Sequence, residues 1–294
     1  MKANFHNITL DDKKIFDKYE ATTRQYYGGE YSFPFIFIYA LDKMQICDLG
    51  DTAFIKTMWS GNRVYFPPLL KDASKLPQAI QFIEQQSQLE GVPLDIRGFT
   101  KDQTDTLDPR KYSSTINRGL SDYVYNAYDL INLSGKNFHS KRNFITRFYK
   151  AYDYTFRVYD ESTDRAAIFN LLKKWDVNTR HEKWEIEETL ITRAIDYYRE
   201  LDLKIAVLYV GTELVAFSIN SVRNAEIAYT LFEKADTDYI GSYQVINQRT
   251  AQMFFTNVKY VNRECDMNVD GLRKAKLSYN PIMIIDKYRV QHNN

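Results

Sequence analysis

Cysteine, flexible linkers, surplus charge and long apolar runs are all scarce in this 294-residue sequence. Its two cysteines, Cys47 and Cys265, stand far apart and form no metal-ligand spacing, and the start MKANFHNITLDDKK lacks the apolar core of a secretion signal. A reducing cytoplasm is the expected setting. The most apolar stretch, Phe33 to Leu41, contains Pro34 and falls short of the ~20 residues that span a bilayer, so no integral membrane segment is expected. Lys plus Arg number 39 and Asp plus Glu 38, which excludes long-range attraction to a polyanion and makes any such site local. Nucleophile elbow, Walker loop, zinc spacing and dinucleotide fingerprint are missing too. No metal and no required cofactor are therefore expected.

What is present is ample apolar material: 44% hydrophobic and 15% aromatic residues, far from a disordered composition. The length exceeds a common domain of about 100 to 150 residues, so two closely packed domains are expected, 1–125 and 126–294. The first half reads as a helix after Thr9, a helix over SFPFIFIYALDK, and short strands MQICDLG, TAFIKTMW and RVYFP. The helix LPQAIQFIEQQSQL, stopped by Gly91, and the strand PLDIRGF follow. The second half repeats that order at greater length. It has the strand TFRVYD, helices from Ser162 and Ile186, and a meander of KIAVLYV, ELVAFSINS and EIAYTLF. A helix from Ser242, the strand YVNRECDM, a helix GLRKAKLSY and a final strand IMIIDKY close it. The fold class is α+β and duplicated.

Charged side chains interrupt this core pattern between Val261 and Tyr279. Strand alternation over YVNRECDM puts Asn262, Glu264 and Asp266 on one face and Arg263 and Cys265 on the other. Grouped carboxylates suit a general base, whereas an edge strand with a wet polar face would show the same pattern. Arg273, Lys274 and Lys276 follow in one short helix, with Ser278 on the Lys274 face. They could neutralise those carboxylates, hold a phosphate, or form a solvated helix face. In LSGKNFHSKRNFITRFYKAY, a helix expected to be capped by Ser134 or Asn137, Lys141 and Arg142 adjoin the apolar stripe, with Asn143 next to them. Gly241, Ser242 and Tyr243 open the helix that carries Asn247. A glycine before a helix start lets a phosphate approach backbone amides. A plain helix cap is the blander account.

Four segments, LSGKNFHSKRN, the meander end LFEKAD, GSYQVIN and NRECDMNVDGLRKAKLSYNP, resemble the C-terminal domain family of bacterial phosphatidylglycerol lysyltransferases. The resemblance covers most of the chain and is strongest from Leu133 to Tyr288. It implies two tandem GNAT-like acyltransferase domains. The first is expected to lack a site of its own, since its DIRGF strand offers only Asp95 and Arg97 where the second offers a full cluster. Membrane-embedded members of that family move an aminoacyl group from a charged tRNA to a lipid head group. Two departures stand out: the family motif has a second acid where Cys265 stands, and the pyrophosphate loop of acetyl-CoA enzymes is reduced to Ile240-Gly241-Ser242.

The resemblance implies an acyltransferase with an aminoacyl-tRNA or acyl-CoA donor and a small-molecule or lipid head-group acceptor. Glu264 or Asp266 is the expected base and Tyr279 the expected proton donor to the leaving group. Lys141, Arg142, Asn143, Gly241, Ser242, Tyr243, Arg273 and Lys274 are expected to hold donor phosphates. Asn247, Asn262, Arg263 and Ser278 are expected in support. The competing readings are an acyl-CoA-dependent N-acyltransferase and a non-catalytic RNA or nucleotide module.

Overall fold

The computed structural model describes residues 3–179 and 184–293. It divides into two compact units. The first comprises Met1–Asp122, Cys265–Arg273 and Ile284–Asn294; the second comprises Tyr123–Glu264 and Lys274–Met283.

The first unit contains β1 (His6–Asn7), α1 (Lys13–Thr23), α2 (Phe33–Ala40), β2 (Gln45–Asp48), β3 (Thr52–Trp59) and β4 (Asn62–Tyr65). Then come β5 (Leu69–Leu70), α3 (Leu76–Glu90), β6 (Ile96–Phe99), α4 (Lys101–Thr104) and β7 (Tyr112–Ile116). The ambiguous run at Phe33 is a helix: Pro34 sits in its first turn, where its missing N–H costs nothing, and Leu41 ends it in a left-handed conformation. Helix α3 ends at Gly91, at φ +68°, as its sequence predicts. The strand carrying Asp95 and Arg97 offers no free chemistry, because Arg97 and Arg289 both bind the buried Asp95 carboxylate.

The remaining elements are β8 (Asp122–Asn126), α5 (Ala127–Asn132), α6 (His139–Ala151), β9 (Tyr154–Val158), α7 (Glu161–Thr179), α8 (Trp184–Asp196), β10 (Lys204–Val210), β11 (Glu213–Val222) and β12 (Ile227–Ala235). They end with α9 (Ser242–Phe254), β13 (Tyr260–Asn262), α10 (Asp270–Leu277), β14 (Met283–Ile285) and β15 (Tyr288–His292). Among the described residues one sheet runs β1-β2-β3-β4-β6-β15-β7, with β5 on β3, and the other β14-β8-β13-β12-β11-β10-β9. The expected meander β10-β11-β12 is present and antiparallel.

Three expectations are corrected. IMIIDKY is two strands, and β15 joins the first sheet between β6 and β7 instead of completing the second. The chain first changes unit after Asp122 and later returns, so the units are not the contiguous halves 1–125 and 126–294. Helix α6 is preceded by a turn over Lys136–Phe138 and has Phe138, not Ser134 or Asn137, at its N-cap.

Candidate functional site

Strand β13 is short. It pairs with β12 in parallel over Ile227–Tyr229 only, so the ladder stops while β12 continues for six more residues to Ala235. The reason lies in the sequence that follows. Asn262 is fully buried and its side chain accepts from the Glu264 amide at 2.6 Å, and Glu264 then adopts φ +57°, a left-handed conformation unusual for this residue type. Alternation therefore fails after Asn262. Glu264 and Asp266 do not share a strand face, and Arg263, expected on the opposite face, turns inward.

Arg263 takes the place beside β12 that a longer strand would fill. Its Nη2 donates to Glu233 at 2.8 Å, and the guanidinium lies over the rings of Tyr279 (4.9 Å) and Tyr125 (5.5 Å). Asn247 of α9 donates to the other Glu233 oxygen at 3.2 Å. Burial works against the Arg263 charge, but Glu233 raises its pKa overall; burial also pushes the Tyr279 and Tyr125 phenols up. Two buried polar atoms here have no hydrogen-bond partner among the described residues: Arg263 Nη1, a donor, and Asn247 Oδ1, an acceptor. Such groups are costly unless something else meets them.

Lys141 adjoins this cluster. Its Nζ donates to Ser278 Oγ at 2.6 Å and sits 4.4 Å from the centre of the Tyr279 ring, and burial, with Arg263 adding, lowers its pKa. Lys276 is buried as well, and donates to the carbonyl oxygens of Arg263 and Glu264.

The other predicted residues fall elsewhere. Asp266, in the first unit, is completely buried and grips Arg273 through both oxygens at 2.7 and 3.0 Å, with Arg118 at 3.7 Å. This pairing removes Asp266 as a free base and Arg273 as a free phosphate ligand. Arg142 spends Nη1 on the carbonyls of Leu133 and Gly135, closing the end of α5. Asn143 contacts His139 at the surface, Lys274 is exposed, and Tyr243 packs partly buried against the core. Gly241, at φ +99°, makes room for protein and not for phosphate: a Cβ there would lie 2.5 Å from the Phe144 carbonyl oxygen of α6. Ser242 is buried and donates to Asp236 O at 2.8 Å.

Sequence reasoning missed Glu233, Tyr125 and the buried role of Lys276. Glu233 had a signal: an acid directly after the mostly apolar run IAYTLF, within the same strand.

Comparison with known proteins decides the family. The family model described as "Phosphatidylglycerol lysyltransferase, C-terminal" matches residues 24–291. The chain belongs to that family of transferase domains. Among individual proteins, an uncharacterized protein of Mycoplasmoides gallisepticum is 25% identical over 214 residues, covering 71% of this chain and 68% of that protein. A conserved protein of unknown function from Bacteroides thetaiotaomicron superposes with a TM-score of 0.90 at 27% identity, over 99% of this chain and 100% of the other. L-PGS from Bacillus licheniformis shares the fold at a TM-score of 0.65 and 16% identity, over 95% and 92% of the two chains. A tandem GNAT protein from the clavulanic acid biosynthesis pathway, at 7% identity and a TM-score of 0.51 over 98% of each chain, has the same α+β architecture.

Proposed function

We propose that the second unit is an aminoacyltransferase, taking an activated aminoacyl ester, with aminoacyl-tRNA as the leading donor, and passing the aminoacyl group to an amine or hydroxyl acceptor. The observation that carries this reading is the pair of uncommitted buried atoms of opposite kind, Arg263 Nη1 and Asn247 Oδ1, where β12 and β13 part. An aminoacyl group has a carbonyl oxygen to accept from the first and an ammonium to donate to the second. A plain acyl group supplies only the carbonyl.

In this reading Arg263 stabilises the carbonyl oxygen as it gains charge, a role for which a buried, pre-positioned cation is well suited. Glu264, on the turn after β13 with its Oε1 buried, takes the acceptor's proton. Tyr279, whose phenol burial keeps protonated, donates to the leaving oxygen. The acyl-CoA reading is disfavoured, since the Gly241–Ser242 helix start expected to meet its pyrophosphate packs against α6.

The test is to incubate the protein with bulk tRNA charged with labelled amino acids, in the presence of phosphatidylglycerol vesicles or small amines. Label should leave tRNA for an acceptor faster than by hydrolysis, and Glu264→Gln should lose that transfer. Consumption of acetyl-CoA in place of charged tRNA would establish the acyl-CoA reading. Tight RNA binding with no product would establish the non-catalytic one.

A further inference from the structure

Lys141 is a buried amine whose surroundings do not suit a charge. Its one hydrogen-bond partner among the described residues is the Ser278 hydroxyl, and the other groups facing it are the Tyr279 ring and the Arg263 cation. Glu233, the nearby carboxylate, is already shared between Arg263 and Asn247. A buried ammonium without an anion is costly, and a second cation close by makes it more so. Both push Lys141 towards its neutral form, in which Nζ has a lone pair and acts as a base.

Ser278 is placed to use that base. It stands just after the end of α10, on an exposed residue, with Oγ 2.6 Å from Lys141 Nζ and 2.6 Å from the Ala275 carbonyl oxygen. The hydroxyl has one hydrogen. While Lys141 is an ammonium that hydrogen lies on Ala275 O and Lys141 donates to Oγ; once Lys141 is neutral the hydrogen can swing to Nζ. This is the geometry of a nucleophile and its base, here a serine with a lysine.

We infer that Ser278 and Lys141 form a nucleophile–base pair, through which the acyl group passes as an ester on Ser278 before it reaches the acceptor. The inference rests on the acyl-transfer reading of the same cluster and adds an intermediate to it. Lys141 Nζ removes the Ser278 proton as Oγ attacks the donor carbonyl. The bond from that carbon to the donor oxygen breaks, Tyr279 gives its proton to the departing oxygen, and the Ser278 proton stays on Lys141. An acceptor amine or hydroxyl, deprotonated by Glu264, then attacks the Ser278 ester; Oγ leaves and takes its proton back from Lys141, and the proton held by Glu264 makes good, through solvent, the one Tyr279 gave up. Arg263, over the same Tyr279 ring as Lys141, serves the carbonyl oxygen in both halves.

The experiment uses the whole chain, p-nitrophenyl acetate as a generic acyl donor and a fluorophosphonate as a trap for an activated serine. Wild type should release a burst of p-nitrophenolate and gain one adduct, mapped by peptide mass to Ser278. Ser278→Ala should lose both. Ser278→Cys, which keeps a nucleophile of similar size, should instead form a hydroxylamine-labile thioester. Lys141→Arg keeps the positive charge but cannot give up its proton near neutral pH, and should slow labelling by on the order of 10²-fold or more, as loss of a general base does. No Ser278 adduct on folded wild type, or unchanged labelling of Lys141→Arg, would overturn the pair. If wild type and Ser278→Ala move label from charged tRNA equally fast, the transfer reading stands and this inference alone falls.

Discussion

The ammonium of Lys276 lies 3.2 Å from the carbonyl oxygen of Glu264 and also donates to the carbonyl of Arg263. One buried lysine thus secures the two residues at which β13 stops, one of them in a left-handed conformation. Lys276→Met would leave both carbonyls without this donor. We expect a loss of about 1–3 kcal/mol from the unsatisfied acceptors, seen as a lower denaturation midpoint, together with loss of transfer as Arg263 shifts. Glu264→Gln should separate the two effects, with turnover lost and the midpoint kept. Equal loss of stability in Glu264→Gln would mark that carboxylate as structural.

The Arg263–Glu233 pair gives a second prediction. Removing one partner of a buried ion pair strands the other, typically at a cost of about 3–5 kcal/mol, whereas replacing both with apolar residues can be nearly neutral. Arg263→Met and Glu233→Leu should each destabilise strongly, and the double variant should recover much of the midpoint in urea. Transfer should not recover in the double variant. Additive destabilisation across this cycle would mean that the two side chains act independently.

Much of the architecture follows from patterns that depend only on local sequence. The meander, α3 with its Gly91 stop and the helix at Ser242 were legible because apolar period and turn chemistry agree there. The site was legible as a segment but not as a geometry. The alternation rule assumes an extended backbone, and the bond from Asn262 to the Glu264 amide ends that extension within two residues, so Arg263 faces in where Asp266 was expected. The duplicate reading of the tail failed for a related reason. Nothing local in IMIIDKY says that its last residues pair with β6 and β7, partners more than 160 positions earlier in the chain.

Gly241 supplies a third prediction. A methyl group there would meet the Phe144 carbonyl oxygen at 2.5 Å, and the φ of +99° disfavours any side chain. Gly241→Ala should lower stability by at least the ~1–3 kcal/mol of an overpacked contact, measured by thermal or urea unfolding. A variant as stable as wild type would show that α6 and the start of α9 can separate freely, and would reopen that helix start to a ligand.

The last prediction concerns pH and lies in the first unit. Lys287 is buried between two carboxylates, 2.8 Å from Glu30 and 2.9 Å from Asp122, with exposures of 12%, 7% and 2% respectively. Two acids sharing one base leave a buried negative charge. Burial, aided by Asp122 and opposed by Lys287, raises the Glu30 pKa, while the two carboxylates outweigh burial and raise that of Lys287. A carboxyl that keeps its proton longer in the folded state favours the protonated fold. Its contribution to stability is therefore present at low pH and is lost as pH rises from the ordinary Glu value of about 4.3 through the raised one. Lys287 acts at the other end, where its contribution is complete below its ordinary value of about 10.4 and disappears only at higher pH. The other well-paired acids, such as Asp95 and Asp164, have lowered pKa values and give the opposite slope, so the raw stability curve mixes both signs. The difference between wild type and Glu30→Gln isolates the cluster. Glutamine keeps a carbonyl acceptor for Lys287 and leaves the ammonium paired one-to-one with Asp122. Urea midpoints measured from pH 4 to 9 should show Glu30→Gln gaining on wild type as pH rises out of the acid range and then holding level. A gap independent of pH would mean that Glu30 titrates alike in the folded and unfolded protein, with burial and its neighbours cancelling.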